Sequence, residues 1–290
     1  MSSVGINTIV ADGLSIFYRT AGSPTSPVIL LLHGFPTSSH QFRHLIPLLS
    51  HKYYVIAPDL PGFGFTQVPA SRNYQYTFAN IATSIIAFID ALKLTKFSVY
   101  IFDYGAPTGL RIALKRPESI TAIITQNGNA YTEGLGEFWN QIKEFWVEDT
   151  PQKREELSKA LLTFDATKWQ YEFGVTDPAR LSAIEPEGYY LDQALMERSG
   201  NKDIQLGLFK DYENNVALYP RFQEYLNEKQ PPVLALWGKN DVIFVPAGAE
   251  AFKKDVKKVE IKFFETGHFA LETHLKEISL AIVEFLGNNV

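Results

Sequence analysis

Apolar residues recur along this chain in two rhythms. From Ile6 to Ala11 and from Leu14 to Tyr18 they alternate with polar residues, the period of a strand with one buried face. The two stretches flank Asp12-Gly13, a pair that tolerates the positive φ of a tight turn, so the chain is predicted to open with a β-hairpin. Thereafter "VILLLH", "YYVIAP", "KFSVYIF", "ITAIIT", "PVLALWG" and "VEIKFF" are unbroken apolar runs, as strands buried on both faces require. Between most of them lie helical patterns, notably "TFANIATSIIAFIDAL", "APTGLRIALKRP" and the closing "LETHLKEISLAIVEFL". Strand and helix in alternation predict crossover connections and a mainly parallel sheet covered by helices on both faces.

The alternation stops between about Tyr131 and Tyr225, a segment rich in Trp, Tyr, Phe and Glu with helical spacing and no convincing strand. An all-helical insertion between the sixth and seventh strands would sit over the carboxyl ends of the strands, where open α/β sheets bind ligands. The expected organisation is a core of residues 1–130, a helical cap of 131–226 and a second core segment of 227–290.

Composition narrows the function classes. At 290 residues, 46% hydrophobic and 20% charged, the chain can bury a generous core without disulfides or metals. It has no cysteine, which excludes disulfides, thiolate metal sites and cysteine nucleophiles, so an oxidising compartment is not required and a cytoplasmic location is expected. No basic segment followed by a long apolar one opens the chain, and no run of about 18 apolar residues occurs, so neither signal peptide nor membrane span is expected. A net charge of -5 with acids and bases interspersed argues against a nucleic-acid partner.

Candidate chemistry begins at "SVYIFDYGAPTG". Asp103 follows an apolar strand and precedes Gly105, with Pro107 early in the next helix. This is the strand, sharp turn and helix of the nucleophile elbow in the α/β-hydrolase fold, although one flank, Ile101, is larger than that turn usually admits. Taken alone, the corner reads equally well as an aspartate capping a helix. Asp241 in "GKND" and His268 in "ETGHFALE" change that balance, because they follow the next two strands in the order nucleophile, acid, histidine. Asp241 would accept the Nδ1 proton of His268. The "HGFPTSS" after the third strand supplies an oxyanion hole, with the backbone amides of Phe35 and Tyr104 as donors. His33 is read as structural, because the acid and base roles are already filled.

A carboxylate in place of a serine restricts the substrate. It attacks without a general base. Its attack on an ester would give an anhydride, whereas attack on a saturated carbon with a leaving group gives an ordinary alkyl ester, which His268 would hydrolyse by activating water.

Together, "HGFPTSS", "APDLPGFGFT", "FDYGAPTG", "WGKND" and "GHFALE" resemble the epoxide hydrolase and haloalkane dehalogenase branch of the α/β-hydrolases, over residues 28–130 and 230–290. The resemblance implies an α/β-hydrolase fold: a mostly parallel eight-stranded sheet flanked by helices, with an inserted helical cap. It carries the nucleophile, acid and base to Asp103, Asp241 and His268. The family's alternative acid position, after the sixth strand, falls on Asn127, which cannot serve. Haloalkane dehalogenases usually have Trp after the nucleophile and often Asn after "HG"; this chain has Tyr104 and Phe35, leaving Trp139, Trp146 or Trp169 of the cap to supply a halide donor. Epoxide hydrolases resemble the chain better, and their two cap tyrosines, which protonate the opening oxygen, correspond to Tyr171 in "WQYEFGVTDPARL" and Tyr212 in "KDYENNVALYP". Fluoroacetate dehalogenases carry arginines near the nucleophile, whereas here Tyr104 and Thr108 flank it and Arg111 lies about two turns on. The expectation is an epoxide hydrolase without cofactor or metal, acting on an apolar or aryl epoxide as monomer or homodimer. A haloalkane dehalogenase is the alternative, and a non-catalytic ligand-binding protein on the same fold a second.

Overall fold

The computed structural model of the chain describes residues 3–290. Eight strands form one sheet: β1 (Gly5–Ala11), β2 (Leu14–Ala21), β3 (Val28–Leu32), β4 (Tyr54–Pro58), β5 (Phe97–Phe102), β6 (Ile120–Gln126), β7 (Val233–Gly238) and β8 (Val259–Phe264), in the order β1-β2-β4-β3-β5-β6-β7-β8. β2 is antiparallel to both β1 and β4, and the other neighbours are parallel. The opening hairpin turns through Asp12 and Gly13 at φ of 50° and 75°. β2 continues past Tyr18 to Ala21 because those residues pair with Val55–Pro58 of β4, a tertiary pairing that alternation alone does not reveal.

Three helices precede the sixth strand: α1 (Leu45–Leu49), α2 (Phe78–Ala91) and α3 (Gly105–Lys115). Between β6 and β7 come α4 (Asn140–Val147), α5 (Pro151–Leu161), α6 (Phe164–Glu172), α7 (Pro178–Ser182), α8 (Pro186–Met196) and α9 (Asn201–Lys229). After β7 follow α10 (Ala247–Ala251), α11 (Ala270–Thr273) and α12 (Leu275–Asn289). The closing apolar pattern, expected as one helix, is split because His274 takes φ -127° and ψ 33°, outside the helical region.

The unbroken apolar runs are explained by the two cores. Along β3 and β5 successive residues face opposite sides of the sheet. Leu30, Leu32, Val99 and Ile101 pack with Ile85 and Phe88 of α2 and Leu110 of α3. Ile29, Leu31, Tyr100 and Phe102 pack with Leu45 and Leu49 of α1 and Ile282 and Phe285 of α12. Each such Leu or Ile contributes about 1.5–3 kcal/mol by leaving water. β5 is buried along its whole length between β3 and β6, so its carboxyl end is a rigid platform. Side chains of α4, α5, α6 and α9 wall a cavity of ≈ 660 Å³ over that end. Among the described residues no helix is long and apolar enough to cross a membrane.

Candidate active site

At the end of β5 the backbone enters the left-handed region, with Asp103 at φ 47°, a conformation in which a side chain is uncommon and strained. The bulky flank Ile101 is accommodated from the helix side. A Cβ at Gly109, one turn into α3, would come within 2.5 Å of Ile101 Cγ2, so the missing methyl on the helix makes room for the bulk on the strand. Close approach also explains Gly34: a Cβ there would lie 2.3 Å from Asp103 Oδ1 and 2.6 Å from the Tyr104 nitrogen. The "HG" loop therefore rests directly on the elbow.

That contact gives the two oxygens of Asp103 different surroundings. The Phe35 amide donates to Oδ1 at 2.6 Å, and the Tyr104 nitrogen lies on the same side. Oδ2 is 3.7 Å from His268 Nε2, which is buried without a hydrogen-bond partner. His268 Nδ1–H donates to Asp241 Oδ2 at 2.8 Å. Burial alone would depress the imidazole pKa, but Asp241, and after it Asp103, outweigh burial and raise it to about 9. Sequence reasoning thus brought together the residues that meet here: Asp103, Asp241, His268 and the backbone at Phe35 and Tyr104.

Asn127, set aside as an acid, has another place. At φ 47° past the end of β6, its Nδ2 donates to Asp241 Oδ2 at 2.7 Å and its Oδ1 accepts from the Gly238 amide at 3.3 Å. The Ile243 amide donates to Asp241 Oδ1 at 2.8 Å, so both oxygens of the carboxylate are held. His33, read from the sequence as structural, is held at both ring nitrogens. Its Nε2 accepts from the Leu60 amide at 2.9 Å, its Nδ1–H donates to the Gly34 carbonyl at 3.0 Å, and burial lowers its pKa.

The helices between β6 and β7 correct one expectation. Tyr171 does not face the cavity: its hydroxyl donates to Asp192 Oδ2 at 2.5 Å and its ring stacks on Phe269, centroids 4.2 Å apart. The reason is helical rotation. Ala166, Trp169 and Gln170 are spaced i, i+3 and i+4 on α6 and form the stripe on the cavity wall; Tyr171, a further ~100° around the helix, turns onto the core. Burial pushes both the Tyr171 phenol and the Asp192 carboxyl well above their usual ranges.

Tyr212, on α9, lies closer to the nucleophile but behind the wall. Its ring is wedged between those of Tyr104 and Trp139, at centroid distances of 5.8 and 4.5 Å, and both of these residues line the cavity. Its hydroxyl is 3.4 Å from that of Tyr219, which accepts from Asn129 Nδ2 at 3.2 Å. Burial, then Tyr219 and then the charge of Asp103 raise its pKa well above the usual phenol. Of the tryptophans between β6 and β7, Trp139 donates to the Ile243 carbonyl at 2.7 Å and Trp146 to the Phe209 carbonyl at 2.8 Å. Trp169 stands on the cavity wall, stacked near Phe138 with ring planes 7° apart, and its N–H has no acceptor among the described residues.

Phe35, Tyr104, Phe138, Trp139, Ile142 and Phe209 make the remaining wall largely aromatic. Gln170 stands among them, a polar residue that sequence reasoning missed. Its only signal is position within the stripe of α6, and that needs the rotation of the helix to be read. Among the described residues no cluster of three or more His, Asp or Glu side chains is arranged to hold a metal ion.

A family model described as the alpha/beta hydrolase fold matches residues 27–275. The chain is 50% identical over 285 residues, 97% of its own length and 96% of the relative's, to a protein of Saccharomyces cerevisiae named as uncharacterized hydrolase YNR064C. Over shorter stretches it is similar to two named enzymes. It is 38% identical over 118 residues to epoxide hydrolase 3 of Siraitia grosvenorii, covering 40% of this chain and 36% of that one. It is 36% identical over 111 residues to a haloalkane dehalogenase of Bradyrhizobium diazoefficiens, covering 38% and 35%.

Proposed function

The chain belongs to the α/β-hydrolase family, and from that premise we propose that this hydrolase is an epoxide hydrolase acting through a covalent alkyl ester on Asp103. The observation that carries the reading is the unequal setting of the two carboxylate oxygens, Oδ1 on the Phe35 amide and Oδ2 toward the imidazole. Oδ2 attacks a saturated carbon of the epoxide, the C–O bond breaks, and Oδ1 becomes the ester carbonyl already seated on its donor. Water then adds to the Asp103 carbonyl carbon, and the amides of Phe35 and Tyr104 carry the negative charge that develops on Oδ1.

His268 has to be neutral to take a proton from that water. Esterification supplies the change, because it removes the charge of Asp103, one of the influences that hold the imidazole near pKa 9 in the resting site, and the proton released passes to the phenolate left when the opening oxygen is protonated. The opening oxygen needs a proton, and Tyr212 is the phenol we assign to it: its raised pKa keeps it protonated, and rotation of the Trp139 ring would bring it to the cavity. Residues 131–226 act as the cap, and the aromatic wall suits an apolar or aryl substrate.

Haloalkane dehalogenation by the same aspartate is the second reading, favoured by the free N–H of Trp169 on the wall, since a departing halide needs N–H donors and no proton. Assaying styrene oxide for diol and bromoalkanes for halide release separates the two. Diol formation that falls at least about tenfold in Tyr212→Phe supports the proposal; halide release without diol overturns it.

A further inference from the structure

Gln170 presents an unpaired carboxamide to the cavity. It is 6% exposed, and while its helical neighbours Lys168 and Tyr171 are bonded to Glu172 and Asp192, neither end of its amide meets a partner among the described residues. Its amide atoms are not among the fully buried polar atoms left without a partner, so they face the open volume and are free to bond what enters it.

Its position says what that is. The cavity containing Asp103 adjoins a narrow crevice walled by His268 and Asp241, and only Trp169, Gln170 and Ile243 border both. Of these three, Gln170 alone has a side-chain acceptor. Tyr171, stacked at 4.2 Å on Phe269, pins this part of α6 over the turn that carries His268.

Hydrolysis of the proposed ester needs a water whose oxygen points at Asp103 and one of whose protons points at His268 Nε2. In that step the water oxygen bonds to Asp103 Cγ and one proton passes to Nε2. The bond from Cγ to the alkyl oxygen breaks, and the imidazolium returns a proton to the departing alkoxide. The second water proton, left on the regenerated carboxyl, ends on the imidazole. Until then that proton needs an acceptor; Thr163 and Asp165 line the cavity but not the crevice beside His268, and of the residues that border both only Gln170 offers a side-chain acceptor.

We propose that Gln170 is a positioning residue for the hydrolytic water, its Oε1 accepting the proton that His268 does not take. This rests on the reading of Asp103 as an ester-forming nucleophile. It also separates the two half-reactions: Gln170 acts on ester hydrolysis and leaves ester formation alone.

Rapid-quench mass spectrometry of the whole protein with styrene oxide tests this. In Gln170→Leu the ester should form within about twofold of the wild-type rate and break down roughly 10- to 100-fold more slowly, so that it accumulates. Gln170→Glu, which keeps an acceptor oxygen, should hydrolyse the ester faster than Gln170→Leu. Thermal melting confirms that each variant is folded, and Gln170→Met replaces the leucine variant should that one unfold. Breakdown at the wild-type rate in Gln170→Leu, or a loss that falls on ester formation, overturns the role of Gln170, the latter outcome making its amide a donor to the leaving oxygen. Absence of ester from His268→Gln overturns the underlying reading of Asp103 and leaves a distinct signature, since no variant then accumulates an adduct.

Discussion

Asp103 and Asp192 are both buried carboxylates, 5% and 2% exposed, and both lie among aromatic rings. They differ in what their oxygens face. At Asp192 an oxygen is closed off by the Tyr171 hydroxyl, and burial pushes the carboxyl well above its usual range. At Asp103 one oxygen rests on a backbone amide while the other is turned toward an imidazole beside a cavity. Burial by itself therefore does not make a reactive carboxylate. The proposed nucleophile is the one whose oxygen faces both an imidazole and an open volume, and a strained φ at the end of a rigid central strand is what aims it there.

Substitutions at the two aspartate regions sharpen this contrast. Asp103→Asn should remove turnover by a factor of at least about 10⁴, because the nucleophile is lost. It should also lower the His268 pKa from about 9, since the nearby Asp103 carboxylate helps to raise it; NMR titration of the imidazole in the variant reads this directly. An unchanged pKa would mean that Asp103 and His268 do not face each other.

Asn127→Leu should slow kcat by roughly 10- to 100-fold with little change in KM, because Asp241 loses the donor at 2.7 Å that helps to orient it against His268. A variant kinetically identical to wild type would make that hydrogen bond incidental.

Tyr171→Phe should have the smallest effect on activity, within about twofold, while lowering stability by about 1–2 kcal/mol as Asp192 loses its partner. Steady-state kinetics alongside denaturant unfolding separates the two effects. Strong loss of activity with unchanged stability would return Tyr171 to the site.

The contrast also explains what could be read before any coordinates. Strands such as Val28–Leu32 are apolar at every position because both of their faces are covered, and that pattern alone marks them as interior strands of a parallel sheet. Asp103, Asp241 and His268 follow strand ends, and strands of one parallel sheet end on one side, so their convergence follows from order along the chain. Residues of the helices between β6 and β7 carry no such constraint. α6 has Trp169 facing the cavity and Tyr171 facing the core, so aromatic residues occupy two sides and hydrophobic periodicity picks neither. Ile101 looked too large for the elbow because Gly109, which makes room for it, belongs to the next helix. The break at His274 is likewise invisible in an amphipathic pattern that runs straight through it.

Intact-mass measurement of His268→Gln after mixing with styrene oxide tests the central claim most directly. The account predicts an adduct of one substrate mass, mapping by peptide digestion to Asp103 and stable because no imidazole activates water. An unmodified protein, or an adduct on any other residue, would contradict it.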